Sequence, residues 1–317
     1  MSHHPGILMA SLPKRFAMRS FSHFDIIGDV HGHQASLQTL LEKLGYSTDR
    51  GVWQHPERQA IFVGDLIDKG PDPAGVLTLV RDMVEAGTAR MVVGNHELNW
   101  VRDAHAETGD IRSFVHATRE HYDRIRLVSG FSDDIASLRT HFDWLRRQPL
   151  FIDEPGLRVV HACWNDTAIA CLKAQGINRL DAEGMRRYSD AYSEVYLAID
   201  LIVAGCEHEC LDHTSSNGFR SLRRRVRWWP TDHACINPLE LQPTPAKAIG
   251  YPETASPVFF GHYALVGTPT PLGANVAGVD YSAAYEGALV AYRHTPGVRL
   301  SSDRFVSVPT TGTPTHD

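Results

Sequence analysis

Apolar and polar positions follow two alternating periods along the first hundred residues. Phe24 to Ile27 is a short apolar run that stops at Gly28-Asp29, and Leu37, Leu40, Leu41 and Leu44 then recur at helical spacing before Gly45. This predicts strand, loop, helix. The phrase returns: Ala60 to Val63 ends in Gly64-Asp65, and Val76, Leu77, Val80, Met83 and Val84 mark a second helix stopped at Gly87. A third run, Arg90 to Val93, ends in Gly94-Asn95. Strands alternating with helices of this length predict βαβ units and a largely parallel sheet.

From Ala104 to Arg147 the chain has few Gly and no Pro, which predicts a helical stretch covering one side. Arg158 to His161 and Val258 to Phe260 are again short apolar runs leading into a histidine. Between them, Trp164 to Pro257 has dense charge and little periodicity, as expected of a cap or insertion over 165–256. Ala274 to Val279 and Ala288 to Tyr292 read as strands around a turn at Glu286-Gly287. The Pro/Thr-rich end after Val308 is expected to fray.

The 317 residues suit one large domain or two small ones, at about 100 to 200 residues each. With 43% hydrophobic and 21% charged residues, a disordered or fibrous chain is excluded. A net charge of −6 gives no whole-molecule attraction to nucleic acid or anionic lipid, so neither is an expected partner. No apolar run approaches the roughly 18 to 20 residues that span a bilayer. The opening stretch, broken by Pro5 and Pro13 and carrying Lys14, Arg15 and Arg19, lacks the continuous apolar core of a secretory signal. A cytoplasmic protein with reduced cysteines is expected.

Asp29, His31, Asp65, Asn95, His161 and His262 each lie at or just past the end of a predicted strand. In an open α/β sheet those ends line one crevice, where ligands bind. Mixed carboxylate, amide and imidazole ligands suit manganese, iron, zinc or cobalt better than calcium. Two such ions about 3.5 to 4 Å apart clamp an in-line displacement at phosphorus.

The words GDVHG (28–32), GDLIDKG (64–70), GNHE (94–97), HA (161–162) and GHY (261–263) resemble the metallophosphoesterase (calcineurin-like) superfamily. The nearest branch is similar to the phosphoprotein phosphatases and the bacterial symmetrical diadenosine tetraphosphatases. The resemblance implies a two-sheet α/β sandwich (βαβαβ) with flanking helices and a cap insertion. A catalytic domain would span 23–308, with mobile ends at 1–22 and 309–317. It also implies two divalent ions, manganese first among the four, with Asp29 and His31 on one, Asp65 bridging, and Asn95, His161 and His262 on the other. His96 would be the general acid, oriented by Asp68. Lys69 stands where phosphoprotein phosphatases carry Arg, and would meet the phosphate as a point charge.

The activity so implied is hydrolysis of a phosphomonoester or phosphoanhydride by a metal-activated hydroxide, in the manner of serine/threonine phosphatases. Its substrate would be a phosphorylated small molecule, nucleotide or protein. Dinucleoside polyphosphate hydrolysis is the runner-up, and a non-catalytic scaffold of the same fold is the alternative of another class. The run Arg220 to Trp229 adds possible substrate contacts through Arg227 and Trp228, by charge and base stacking. Cys206, His208, Cys210 and His213 hold enough soft ligands for a structural zinc, but their spacing matches no established zinc pattern, and a reduced, loosely packed loop is the expected reading.

Overall fold

The computed structural model describes residues 20–106, 130–131, 135–191, 193–209, 223–229, 241–242 and 250–310. Its strands are β1 (His23–Ile27), β2 (Ser47–Asp49), β3 (Val52–Gln54), β4 (Arg58–Phe62), β5 (Ala89–Met91), β6 (Phe151–Glu154) and β7 (Leu157–Val160). They continue as β8 (Glu207–Glu209), β9 (Arg223–Val226), β10 (Leu241–Gln242), β11 (Val258–Phe260), β12 (Val276–Gly278), β13 (Asp280–Tyr281), β14 (Ala288–His294) and β15 (Phe305–Pro309). One sheet runs β13-β14-β1-β4-β5, with β15 added to β14, and a second runs β12-β11-β7-β6.

The expected α/β sandwich is present, but its sheets are mixed. β1, β4 and β5 are parallel, as the repeated strand and helix phrase requires, whereas β14 enters antiparallel beside β1 and carries β13 and β15 antiparallel in turn. In the second sheet β11 is parallel to β7 and β12, and β6 pairs antiparallel with β7. Alternation along the strands sorts the side chains. Phe24, Ile26, Ile61 and Val63 meet Val159, Phe259, Ala277 and Val279 between the sheets. Ile27, Ala60, Phe62 and Met91 turn to the other face, where the helices lie.

Helix α1 (Gln34–Leu44) buries Leu37, Leu40, Leu41 and Leu44 and ends at left-handed Gly45, φ 93°. Full burial of each leucine stabilises the fold by roughly 1.5–3 kcal/mol. Helix α2 (Pro73–Glu85) starts with proline in its first turn and with the Asp72 carboxylate accepting from Gly75 N–H at 2.8 Å. Helix α3 (Asn95–Ala106) begins directly at the third predicted loop. The helical stretch expected over 104–147 is seen as the end of α3 and the helix Ile135–Leu145, with residues 107–129 outside the described ones.

The segment expected as a cap contributes helices Asp166–Ala174, Ala182–Tyr188 and Glu194–Ala204 and the small sheet β10-β9-β8. Its Ile169, Leu172, Met185, Ile199 and Ile202 belong to the same apolar cluster as Leu37 and Phe62. The expectation of mobile ends falls on 1–22 and 309–317; of these, 1–19 and 311–317 lie outside the described residues, and Pro309 closes β15. Among the described residues no helix is long and apolar enough to cross a membrane.

Candidate metal centre

The loops that follow β1, β4, β5, β7 and β11 meet at one end of the sandwich. Close approach is built into them: Gly64 has φ 103°, and a Cβ there would stand 2.5 Å from Gly94 N. Of the eight non-glycine residues with positive φ among those described, five are His31, Asp65, Asp68, Lys69 and His262. Such backbone costs on the order of 1–3 kcal/mol per residue and collects where function fixes the geometry.

Asp65 lies between two groups. Its Oδ2 is 3.6 Å from His31 Nε2 and 3.8 Å from His96 Nε2, and its Oδ1 is 3.4 Å from His161 Nε2. Two trios, His31/Asp65/His96 and Asp65/His161/His262, therefore hold their ligand atoms within 4.8 Å of one another. Asn95 Oδ1 joins the second, 3.0 Å from His161 Nε2 and 2.8 Å from His262 Nδ1. Asp29, expected beside His31, belongs to neither trio; its Oδ2 accepts from His262 N–H at 2.9 Å. The structure thus brings all six expected ligands to one place, with His96 among them.

The donor set fits divalent cations. His161 Nδ1–H donates to Val63 O at 2.7 Å and His31 Nδ1–H to Ile67 O at 3.1 Å, since a carbonyl only accepts. With Nδ1 so engaged, each ring turns its Nε2 toward Asp65, which raises the His161 imidazole above its ordinary value against burial, and so close an approach needs a proton or a cation between the two atoms. Asp29 Oδ1 and His262 Nε2 are buried with no hydrogen-bond partner. A Cβ on Gly261 would come within 1.9 Å of that same Asp29 oxygen, so glycine keeps the approach clear.

Charge is unbalanced in the same sense. Burial, with Asp280 and Asp65 nearby, pushes Asp29 well above the usual carboxylate range. Burial also lifts Asp280 to about 6 against the Ser282 N–H that it accepts. Burial pulls His31 down to about 3, and burial with the Arg225 charge takes His262 well below its ordinary value. His96 goes the other way: burial lowers it, but Asp65 and the Asp68 hydrogen bond outweigh that and raise it to about 9. Its Nδ1 is 2.5 Å from Asp68 Oδ2, and its side chain is 22% exposed, the most open of the histidines in the two trios.

Other expected contacts divide. Lys69 is close enough for its charge to lower the His31 imidazole. Arg227 is part-buried, and burial lowers its guanidinium from its ordinary value. Trp228 corrects the stacking expectation: it is 7% exposed, donates its indole N–H to Ala162 O at 3.0 Å and packs on Phe260, while Trp229 is 2% exposed. Both are core residues. Of the possible zinc ligands, Cys206 is a free, half-buried cysteine, and Cys210 and His213 lie outside the described residues.

Four residues enlarge the site. Glu97, fully buried, accepts from the backbone N–H of Asp65, Leu66 and Gly94 at 2.8–2.9 Å and so ties the second loop to the third. Arg225, on β9, donates to His262 O. Asp280 and Trp100 were not singled out in the sequence, yet both carry a signal. Asp280 ends the run Ala274 to Val279, as the other site residues end theirs, and Trp100 stands one helical turn after His96.

Five strand-end loops converging on paired carboxylate and imidazole sites define a calcineurin-like phosphoesterase. A family model of that description matches residues 22–210, and the chain belongs to the family. Among curated relatives, the asymmetrical bis(5'-nucleosyl)-tetraphosphatase PrpE of Halalkalibacterium halodurans is 53% identical over 74 residues, 23% of this chain and 30% of that protein. The symmetrical bis(5'-nucleosyl)-tetraphosphatase of Ralstonia nicotianae is 38% identical over 136 residues, 43% of this chain and 40% of that protein. The matched stretch is thus less than half of either relative. Among solved structures, a protein serine/threonine phosphatase from Saccharomyces cerevisiae superposes with TM-score 0.52 at 12% identity, over 93% of this chain and 81% of that one. A cold-active protein-tyrosine phosphatase of a Shewanella species gives TM-score 0.51 at 20% identity, over 92% and 81%. These two likenesses show the fold.

Proposed function

We propose that the protein is a metal-dependent phosphohydrolase that cleaves a phosphomonoester or phosphoanhydride, with Asp29, His31, Asp65, Asn95, His161 and His262 holding two divalent ions, manganese first among the candidates. The observation that carries the reading is the pair of trios sharing Asp65, with orphaned acceptor atoms on Asp29 and His262 beside them. When bound, two such ions supply Lewis acidity at phosphorus and an acidified water. Carbonyls hold the His31 and His161 tautomers, and Glu97 holds the backbone on either side of Asp65. His96, with Nδ1 on Asp68 and Nε2 toward the crevice, supplies a proton to the leaving oxygen. Lys69 adds positive charge for the phosphate.

Dinucleoside polyphosphate hydrolysis is the second reading, favoured by the names of the tetraphosphatase relatives. The aromatic wall that would have supported it from this chain is absent from Trp228 and Trp229, which are buried. The test is to quantify metal in the purified chain, then assay an aryl phosphate beside diadenosine tetraphosphate with added Mn, using His96→Ala and Asp65→Asn as controls. About two ions per chain with His96-dependent turnover is the expected result, and the better substrate chooses between the readings. A chain that binds no metal even when supplied is a scaffold and not an enzyme.

A further inference from the structure

His96 and Trp100 lie four positions apart on α3, and so share one face of the helix. Both reach one carboxylate. His96 Nδ1 is 2.5 Å from Asp68 Oδ2, and Trp100 Nε1–H donates to Asp68 Oδ1 at 3.1 Å and to Oδ2 at 3.3 Å. Asp68 stands on the loop after β4, with φ 68°, where neither helix nor sheet restrains its side chain. Trp100 is the opposite kind of residue: 1% exposed, its ring stacked on Phe142 at 5.8 Å and 23°. A chain of contacts therefore runs from the core to the crevice, Phe142 to Trp100 to Asp68 to His96.

We propose that Trp100 is a positioning residue for the leaving-group proton: its indole N–H locks the Asp68 carboxylate in the orientation that aims His96 at the crevice. An indole N–H only donates, so it fixes the carboxylate without competing for the imidazole proton. Its rigid two-ring side chain, held by Phe142, gives a strained loop an anchor that a solvent hydrogen bond would not provide. The inference rests on the phosphohydrolase reading, because it assigns His96 a proton to deliver.

Trp100→Phe keeps an aromatic ring against Phe142 and removes the donor. With Mn saturating, kcat and KM are measured for wild type, Trp100→Phe, Asp68→Ala and the double variant on aryl phosphates of graded leaving-group acidity. Loss of one hydrogen bond to a charged group predicts a fall in kcat of about tenfold for the least acidic leaving group. For the most acidic leaving group, which needs little protonation, the fall is under about twofold, and KM stays within about twofold. In the Asp68→Ala background, where the indole has no carboxylate to hold, Trp100→Phe adds nothing. Independently of activity, the indole N–H resonance of Trp100 in the wild-type protein shifts on Asp68→Ala substitution.

Equal loss for every leaving group, a further loss in the Asp68→Ala background, or an indole resonance indifferent to Asp68→Ala overturns the proposal. If the metal-loaded wild type cleaves neither the series nor diadenosine tetraphosphate, the phosphohydrolase reading fails and takes the proposal with it. Wild-type turnover that Trp100→Phe leaves intact removes Trp100 alone.

Discussion

Asp25 and Asp29 stand four residues apart, one within β1 and one just past its end, and both are buried. Asp25 is surrounded by donors. Arg58 Nε lies 2.9 Å from both of its oxygens, Tyr46 O–H donates at 3.1 Å, and Arg293 Nε is 3.5 Å away. Asp29 accepts one backbone N–H, and its other oxygen has no partner. Burial raises both carboxyls, but cations oppose it directly at Asp25, whereas at Asp29 the carboxylates of Asp280 and Asp65 reinforce it. A buried carboxylate with its own cation is part of the scaffold; one without, in the reading proposed for Asp29, would take a cation from outside.

The strongest way to break the contrast is Asp29→Asn. The neutral amide keeps an acceptor for His262 N–H but gives up an anionic ligand, and turnover is expected to fall by roughly 10³-fold, several kcal/mol of lost stabilisation. In differential scanning calorimetry the metal-free variant is no less stable than wild type near pH 7, because it lacks a carboxylate that folding makes harder to ionise, and added Mn no longer raises its Tm. Asp25→Ala inverts the pattern. It strands Arg58 and costs about 3 kcal/mol in urea unfolding, while the number of Mn ions bound per folded chain is unchanged.

Glu97→Gln, acting between the two regions, replaces an acceptor of three backbone N–H groups with an amide that presents a donor to one of them. Calorimetric titration is expected to show Mn affinity lowered by about 10- to 100-fold with little change in Tm.

The smallest effect belongs to His294, beside Asp25 at the same end of the sheet but on its other face, whose carbonyl accepts from Arg58. Its Nε2–H donates to Gly156 O at 2.8 Å, and burial lowers its pKa from 6.5 to about 4. Above pH 6.5 the ring is neutral both folded and unfolded. Between about 6.5 and 4 only the unfolded chain takes the proton, so stability falls as pH falls, by at most about 1.4 kcal/mol per pH unit. His294→Gln keeps a donor for Gly156, and the pH dependence of its Tm should be flatter in that window alone.

The parts legible in the sequence are those whose pattern is local. Leu37, Leu40, Leu41 and Leu44 declare α1 by their spacing, and Gly-Asp or Gly-Asn after an apolar run marks where a strand yields to the crevice. The helix Glu194–Ala204 was hidden because EVYLAIDLIVA is apolar on nearly every side and shows no period. β2 is exposed and β3 half-buried throughout, so their hairpin has no buried alternation to read. β15 is a strand because β14 is beside it, and among its residues only Val308 is buried. Trp228 and Trp229 resembled a stacking surface beside an arginine run. Their burial is decided by Phe260 and Tyr263, more than thirty residues later in the chain.

β14 sits against β1 on the side away from β4, pairing Phe24 with His294 and Ile27 with Ala291. During synthesis, β1, β4 and β5 emerge early and can pair among themselves, yet one edge of β1 has to wait for residues 288–294 at the far end of the chain. That edge carries Phe24 and Ile26 and would template pairing with any other strand meanwhile. So wide a sequence separation makes for slow closure of the sheet. A ribosome-bound chain halted before β14 should therefore lean on chaperones far more than the finished protein does.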